Sequence, residues 1–138
     1  MTQRFLLDTS VWINLTKRDS FTQGKFLKAI EAGQVLYHCG PVILELMAGT
    51  KPGEDFQMQT RIDAFYQLPH DIHFDYRRAG IMYRELRRKG VTIRSRPDCL
   101  IAVIAMAHEG VTLIHDDQDF ELSAEHYDLK QERWARAA

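Results

Sequence analysis

The sequence has no apolar run approaching the ~18 residues needed to cross a bilayer, and its first residues hold no apolar signal segment. These absences predict a chain that makes no membrane contact and works in the cytoplasm. It has only two cysteines, Cys39 and Cys99, far apart and set among largely apolar neighbours. That excludes a disulfide framework and a sulfur-ligated metal site, and leaves oxygen as the ligand type for any ion. Charge of one sign is missing too: 18 Lys plus Arg face 19 Asp plus Glu, a net of −1. Any footprint for a polyanion must therefore be local. There are no repeats, linkers or low-complexity segments, so the 138 residues read as a single domain, 1–138, with 45% hydrophobic residues to fill one core.

What is present begins with the stretch Arg4-Phe5-Leu6-Leu7-Asp8-Thr9-Ser10-Val11-Trp12-Ile13. A short apolar run ending in a carboxylate has the pattern of a buried strand that delivers an acid to its carboxyl end. In open α/β sheets that is where ligands bind. The plainer role for Asp8 is to cap the next helix.

Periodicity then predicts helices over 9–17 and 21–32, with Gly33 closing the second, and a strand over 34–39. Pro41 opens a helix over 41–49 in which every residue from Val42 to Ala48 is apolar except Glu45. An unpaired buried carboxylate is disfavoured by several kcal/mol, so Glu45 calls for a metal, a proton, an arginine or a narrow exposed stripe. A helix over 55–68, a very short strand over 72–74 and a helix over 75–90 with Asp75 as N-cap come next. His70 and His73 read as surface residues. The helix over 96–110 is apolar nearly all round and so central; Asp98 lies in its first turn, where Ser95 and Asp98 resemble a capping box. The strand over 111–115 empties into Asp116-Asp117-Gln118-Asp119-Phe120, and an edge strand is expected over 127–130.

Between Arg77 and Arg96 eight positive side chains stand against one acid, Glu85. Cations at a helix C-terminus account for some of them. The excess points to a phosphate-facing edge.

Strands alternate with helices, which implies a mainly parallel sheet covered on both faces. Asp8, Glu45, Asp98, Asp117 and Asp119 each adjoin an apolar element without a basic partner nearby in sequence. Should they converge, their repulsion must be relieved by protons or by a hard cation, Mg²⁺ or Mn²⁺ in preference to zinc.

The chain resembles the PIN-domain family, and within it the compact VapC-type toxins of toxin–antitoxin pairs. The matching pieces are Leu6-Leu7-Asp8-Thr9-Ser10-Val11-Trp12-Ile13, Val42-Ile43-Leu44-Glu45-Leu46-Met47-Ala48-Gly49, Pro97-Asp98-Cys99-Leu100-Ile101-Ala102 and Leu113-Ile114-His115-Asp116-Asp117-Gln118-Asp119-Phe120, in family order. The resemblance implies a three-layer α/β/α domain with about five short strands and a Mg²⁺- or Mn²⁺-dependent endoribonuclease activity. It places Asp8, Glu45, Asp98 and Asp117 on the family's catalytic and metal positions, with Asp119 as a further acid, and Ser10 beside them with Thr9 in support. Asp116 and His115 depart from the usual form of the last motif, so the ligand among Asp116, Asp117 and Asp119 stays open. Arg94 and Arg96, with Arg87 and Arg88, are the expected RNA contacts. The resemblance also implies a homodimer held in check by a small VapB-like antitoxin that offers a basic side chain to the acids. Two readings from other classes are a phospho-accepting receiver module, which needs paired acids and a lysine that this chain lacks, and a PIN-like module that binds RNA or protein without cutting.

Overall fold

The computed structural model describes residues 3–135. Its centre is a five-stranded sheet of β1 (Arg4–Leu7), β2 (Val35–His38), β3 (Tyr66–Gln67), β4 (Val111–His115) and β5 (Gln131–Arg133). The strands lie in the order β3-β2-β1-β4-β5, and every pairing is parallel. The chain lays strands to one side of β1 first and then crosses to the other, so β1 is the switch point at which a crevice opens beyond the carboxyl ends. Consecutive residues of β1 and β4 point to opposite faces of the sheet. Phe5, Leu6 and Leu7 are all buried, as are Leu113, Ile114 and His115, so both faces are covered.

The connecting helices are α1 (Thr9–Thr16), α2 (Ser20–Glu31), α3 (Gly40–Ala48), α4 (Asp55–Asp63), α5 (Asp75–Arg88), α6 (Arg96–Met106) and α7 (Gln118–Ala124). The apolar run in α6 buries Cys99 through Ala105 without a break, which makes it the core helix that its composition predicts. Gly33 follows the end of α2 at φ 78°, a left-handed position that an L side chain adopts only with strain. Among the described residues, no helix is long and apolar enough to cross a membrane.

Several boundaries differ from the sequence expectations. The helix expected over 55–68 ends at Asp63, and Tyr66–Gln67 pairs instead with Tyr37 and His38 of β2. Residues 72–74 are a turn, not a strand: the Asp71 carboxylate accepts from the amides of His73 and Phe74. Phe74, not Asp75, is the N-cap of α5, and Asp75 instead accepts from the Asp71 amide. The helix expected over 96–110 stops at Met106. The edge strand lies at Gln131–Arg133, not 127–130, and Trp134 just beyond it is buried edge-on against Phe5. His70 is half-buried, packed close to Gly40.

Candidate active site

The carboxyl end of β1 delivers Asp8 to the switch point. Its amide donates to the Ile114 carbonyl of β4 at 2.9 Å, which extends the ladder by one residue and locks the position of the side chain. The carboxylate does cap α1, accepting from the Val11 amide at 3.2 Å, and Ser10 Oγ donates to the same Oδ1 at 2.8 Å. Both bonds fall on Oδ1, so capping does not engage Oδ2. Burial pushes the Asp8 carboxyl from 3.8 up to about 7, opposed by the bonds from Ser10 and Val11 and assisted by the charges of Asp117 and Glu45.

Glu45 is half-buried on α3, the helix that leaves the end of β2. Its Oε1 accepts from Thr9 Oγ1 at 3.1 Å. Among the described residues it meets no arginine or lysine in an ion pair, so the structural pairing that the sequence allowed is not its environment. Thr9 and Ser10 thus act as a pair of hydroxyls that fix two acids from neighbouring elements.

Asp98 comes from the first turn of α6. Ser95 is the N-cap by backbone conformation, but its side chain makes no capping bond, so the capping box is not formed from that side. Burial raises the Asp98 carboxyl to about 7, with further upward pressure from Asp8, Glu45, Asp117 and Asp119 in that order. The side chains of four separate elements therefore lie within electrostatic reach of one another.

The loop after β4 divides its three acids by direction. Asp116 turns to the edge strand, where Arg133 Nε donates to it at 3.0 Å. Asp117 turns inward: Oδ1 accepts from the Asp119 amide at 2.9 Å, capping α7, and Oδ2 accepts from Arg94 Nη2 at 3.2 Å. Asp119 is buried, and its Oδ2 accepts from the Arg94 amide at 3.2 Å with Arg94 Nε 3.7 Å away.

His115 shapes that division. Its Nδ1 accepts from the Asp117 amide at 3.0 Å, so the proton sits on Nε2, which donates to Gln131 Oε1 at 2.7 Å. Burial lowers its pKa and keeps the ring neutral. The positioning role of His115 was not legible in the sequence, because its partner Gln131 lies in a strand with no apolar signal.

Of the other arginines, Arg87 and Arg96 both lie over the Tyr83 ring, at 5.7 and 5.2 Å, and Arg88 is exposed at the end of α5. Cys39 and Cys99 are free and buried, their thiols pushed up to about 12 and about 11 chiefly by burial, which leaves them protonated and inert.

An apolar groove of about 520 Å³ is lined by Trp12, Phe26, Leu27, Leu46, Met58 and Phe65 among others, and by none of the acids. Leu27 at its edge is 56% exposed.

The PIN-domain family model matches residues 5–125. The chain belongs to the PIN-domain family. Among similar curated proteins are a VapC ribonuclease of Mycobacterium bovis and Ribonuclease VapC11 of Mycobacterium tuberculosis. Each is 32% identical over 123 residues, which span 86% of this chain and 90% of the relative. The fold is shared with VapBC2 from Rickettsia felis, a crystal structure bound to a promoter DNA fragment, at TM-score 0.69 and 22% identity over 96% of this chain and 99% of that one. DNA-bound VapBC from Salmonella typhimurium gives TM-score 0.71 and 20% identity over 98% and 100%. Within this PIN domain, Asp8, Glu45, Asp98, Asp117 and Asp119 lie within electrostatic reach of one another at the switch point, while Asp116 pairs with Arg133 at the edge strand.

Proposed function

We propose that this chain is a divalent-cation-dependent endoribonuclease, the toxin of a toxin–antitoxin pair. The observation that carries the reading is the coupling of Asp8, Glu45, Asp98 and Asp117 across the carboxyl ends of the sheet in a PIN domain. Two of these carboxyls are lifted to about 7, chiefly by burial and further by the neighbouring acids.

Among the described residues, no three acidic, histidine or cysteine side chains meet closely enough to form a ready-made ligand cage. The donor chemistry nevertheless fits Mg²⁺ or Mn²⁺, which favour oxygen. Mg²⁺ in particular retains several waters and takes one or two carboxylates directly. Asp8 and Asp98, with Glu45 and Asp117, are the residues that would hold it. Bound there, such an ion supplies positive charge that lowers the pKa of water and stabilises a phosphoryl transition state.

The chain's own groups do the positioning. Ser10 and Val11 orient Asp8, Thr9 orients Glu45, and His115 sets the backbone of Asp117. The first turn of α6 brings Asp98 within electrostatic reach of the other acids. Arg94 adjoins Asp117 and Asp119, and with Arg96, Arg87 and Arg88 it is assigned the phosphate contacts on this reading.

The apolar groove suits a segment of a VapB-like antitoxin. VapBC structures share this fold, and the groove is lined chiefly by aromatic and aliphatic side chains. The same reading expects a homodimer acting in the cytoplasm.

Cleavage of single-stranded RNA with added Mg²⁺ or Mn²⁺, run beside Asp8→Asn, tests the reading. Cation-dependent cleavage that the variant loses is the expected result. RNA binding without cleavage under any divalent cation would leave a non-cutting module in its place. Co-purification of a cognate small antitoxin, with relief of growth arrest on co-expression, tests the toxin role.

A further inference from the structure

Arg94 occupies a position that a phosphate contact alone does not need. Its guanidinium holds Asp117 Oδ2 at 3.2 Å, while the other oxygen of Asp117 is committed to the Asp119 amide. Both oxygens of Asp117 are thus engaged, and a cation approaching Oδ2 meets the like charge of the Arg94 guanidinium 3.2 Å from it. The Arg94 backbone is tied down separately, its amide donating to Asp119 Oδ2. Asp119 is 4% exposed, whereas the Arg94 side chain is 77% exposed. The Arg94 backbone is thus fixed, while its largely solvated guanidinium bridges two acids, Asp117 Oδ2 at 3.2 Å and Asp119 Oδ2 at 3.7 Å from Nε.

We propose that Arg94 is a built-in, exchangeable counter-ion of the acidic centre: it neutralises Asp117 in the cation-free protein, releases it when the carboxylates take a divalent ion, and then turns to the RNA phosphate. The inference deepens the ribonuclease reading and rests on it. Asp119 is, on this view, a positioning residue: its carboxylate faces the Arg94 amide and keeps the swinging guanidinium within reach of both states. Three features support the exchange. A guanidinium and a hydrated cation compete for the same carboxylate oxygen by the same electrostatics. A mostly solvated ion pair is worth little, so its release is easily reversed. And a guanidinium set free beside a substrate phosphate has a second anion of matching geometry to bind.

The test is Mn²⁺ binding, read by electron paramagnetic resonance of free Mn²⁺, in wild type, Arg94→Ala and Arg96→Ala. Arg96 carries an equal charge nearby but stacks on Tyr83 and pairs with no acid among the described residues. Arg94→Ala is expected to bind Mn²⁺ about twofold to fivefold more tightly, the worth of an exposed ion pair, while Arg96→Ala matches wild type. With saturating Mn²⁺ and a single-stranded DNA oligonucleotide as the uncut probe, Arg94→Ala should bind more weakly than wild type. The slope of log affinity against log salt should fall by about 0.7, one phosphate contact on a single strand. Unchanged or weaker Mn²⁺ binding in Arg94→Ala, or equal tightening in Arg96→Ala, would overturn the exchange while leaving a cleaving wild type intact. A wild type that neither binds Mn²⁺ nor cuts RNA would overturn the ribonuclease reading itself and the exchange with it.

Discussion

Asp8→Asn removes a charge from the centre of the site while leaving its local fold in place. Asparagine is as good an N-cap as aspartate and still accepts from the Val11 amide. In the wild type, burial and the neighbouring Asp117 and Glu45 raise the Asp8 carboxyl from 3.8 to about 7. At 1.36 kcal/mol per pK unit, ionising it in the folded chain is disfavoured by on the order of 4 kcal/mol relative to the unfolded chain. The sign follows from proton counting. Between about pH 4 and 7 the folded state binds more protons than the unfolded one, so stability is greatest at the acid end and is lost as pH rises through 7. Asp98, also raised to about 7, contributes in the same direction. It shares the repulsion with Asp8, so one substitution relieves only part of the strain. In chemical denaturation with chelator, Asp8→Asn should match wild type near pH 3, draw ahead of it as pH rises from 4 to 7, and exceed it by about 1–3 kcal/mol at pH 8. Added Mg²⁺ should restore wild type at pH 8 by mass action and do little for the variant, which should not cut RNA. An Asp8→Asn protein that is less stable than wild type at pH 8 yet still cleaves would refute the electrostatic account of the site.

Glu45→Gln keeps the shape and an oxygen for Thr9, so its cation-free stability should equal or exceed that of wild type while cleavage is lost; a loss of ~3–5 kcal/mol with activity retained would mark Glu45 as a structural acid. Trp134→Ala, which removes the indole packed against Phe5, should destabilise the fold by about 3–5 kcal/mol in urea melts. His115→Leu fills similar space but strands the Asp117 amide and the Gln131 side chain, and should cost about 1–3 kcal/mol by the same measurement. Neutralising Arg87 and Arg88 to Gln should change stability by no more than about 0.5 kcal/mol. The same change should flatten the salt dependence of single-stranded RNA binding by about 0.7 for each phosphate no longer neutralised, read by fluorescence anisotropy.

The central strands and core helix were legible because their signals are local and strong. Leu6-Leu7-Asp8 and Leu113-Ile114-His115 are buried on both faces, and such strands need continuous apolar runs. The helix around Ile101 is enclosed on every side, and its composition says so. Edge elements were not legible. Tyr66–Gln67 is two exposed residues with no apolar alternation, and it is a strand only because β2 offers Tyr37 and His38 to pair with. Gln131–Arg133 is likewise polar, and its register against Leu113–His115 is set by β4. Apolar residues at 72–74 suggested a strand, yet Asp71 bends them into a turn and leaves Ile72 and Phe74 exposed.

The amino-acid sequence by itself determined which carboxylates adjoin apolar elements: Asp8 and the Asp116-Asp117-Asp119 loop after strands, Asp98 at the start of a helix and Glu45 within one. Burial along a strand or helix is a property of neighbours in the chain, so periodicity reports it. Only the tertiary structure decided how those acids are partnered. Arg133 draws Asp116 to the edge, His115 and Gln131 hold the Asp117 backbone, and Arg94 spans Asp117 and Asp119 from a loop more than twenty residues away. Such pairings depend on the order of strands and on side-chain direction across the switch point, and no local pattern of residues encodes either.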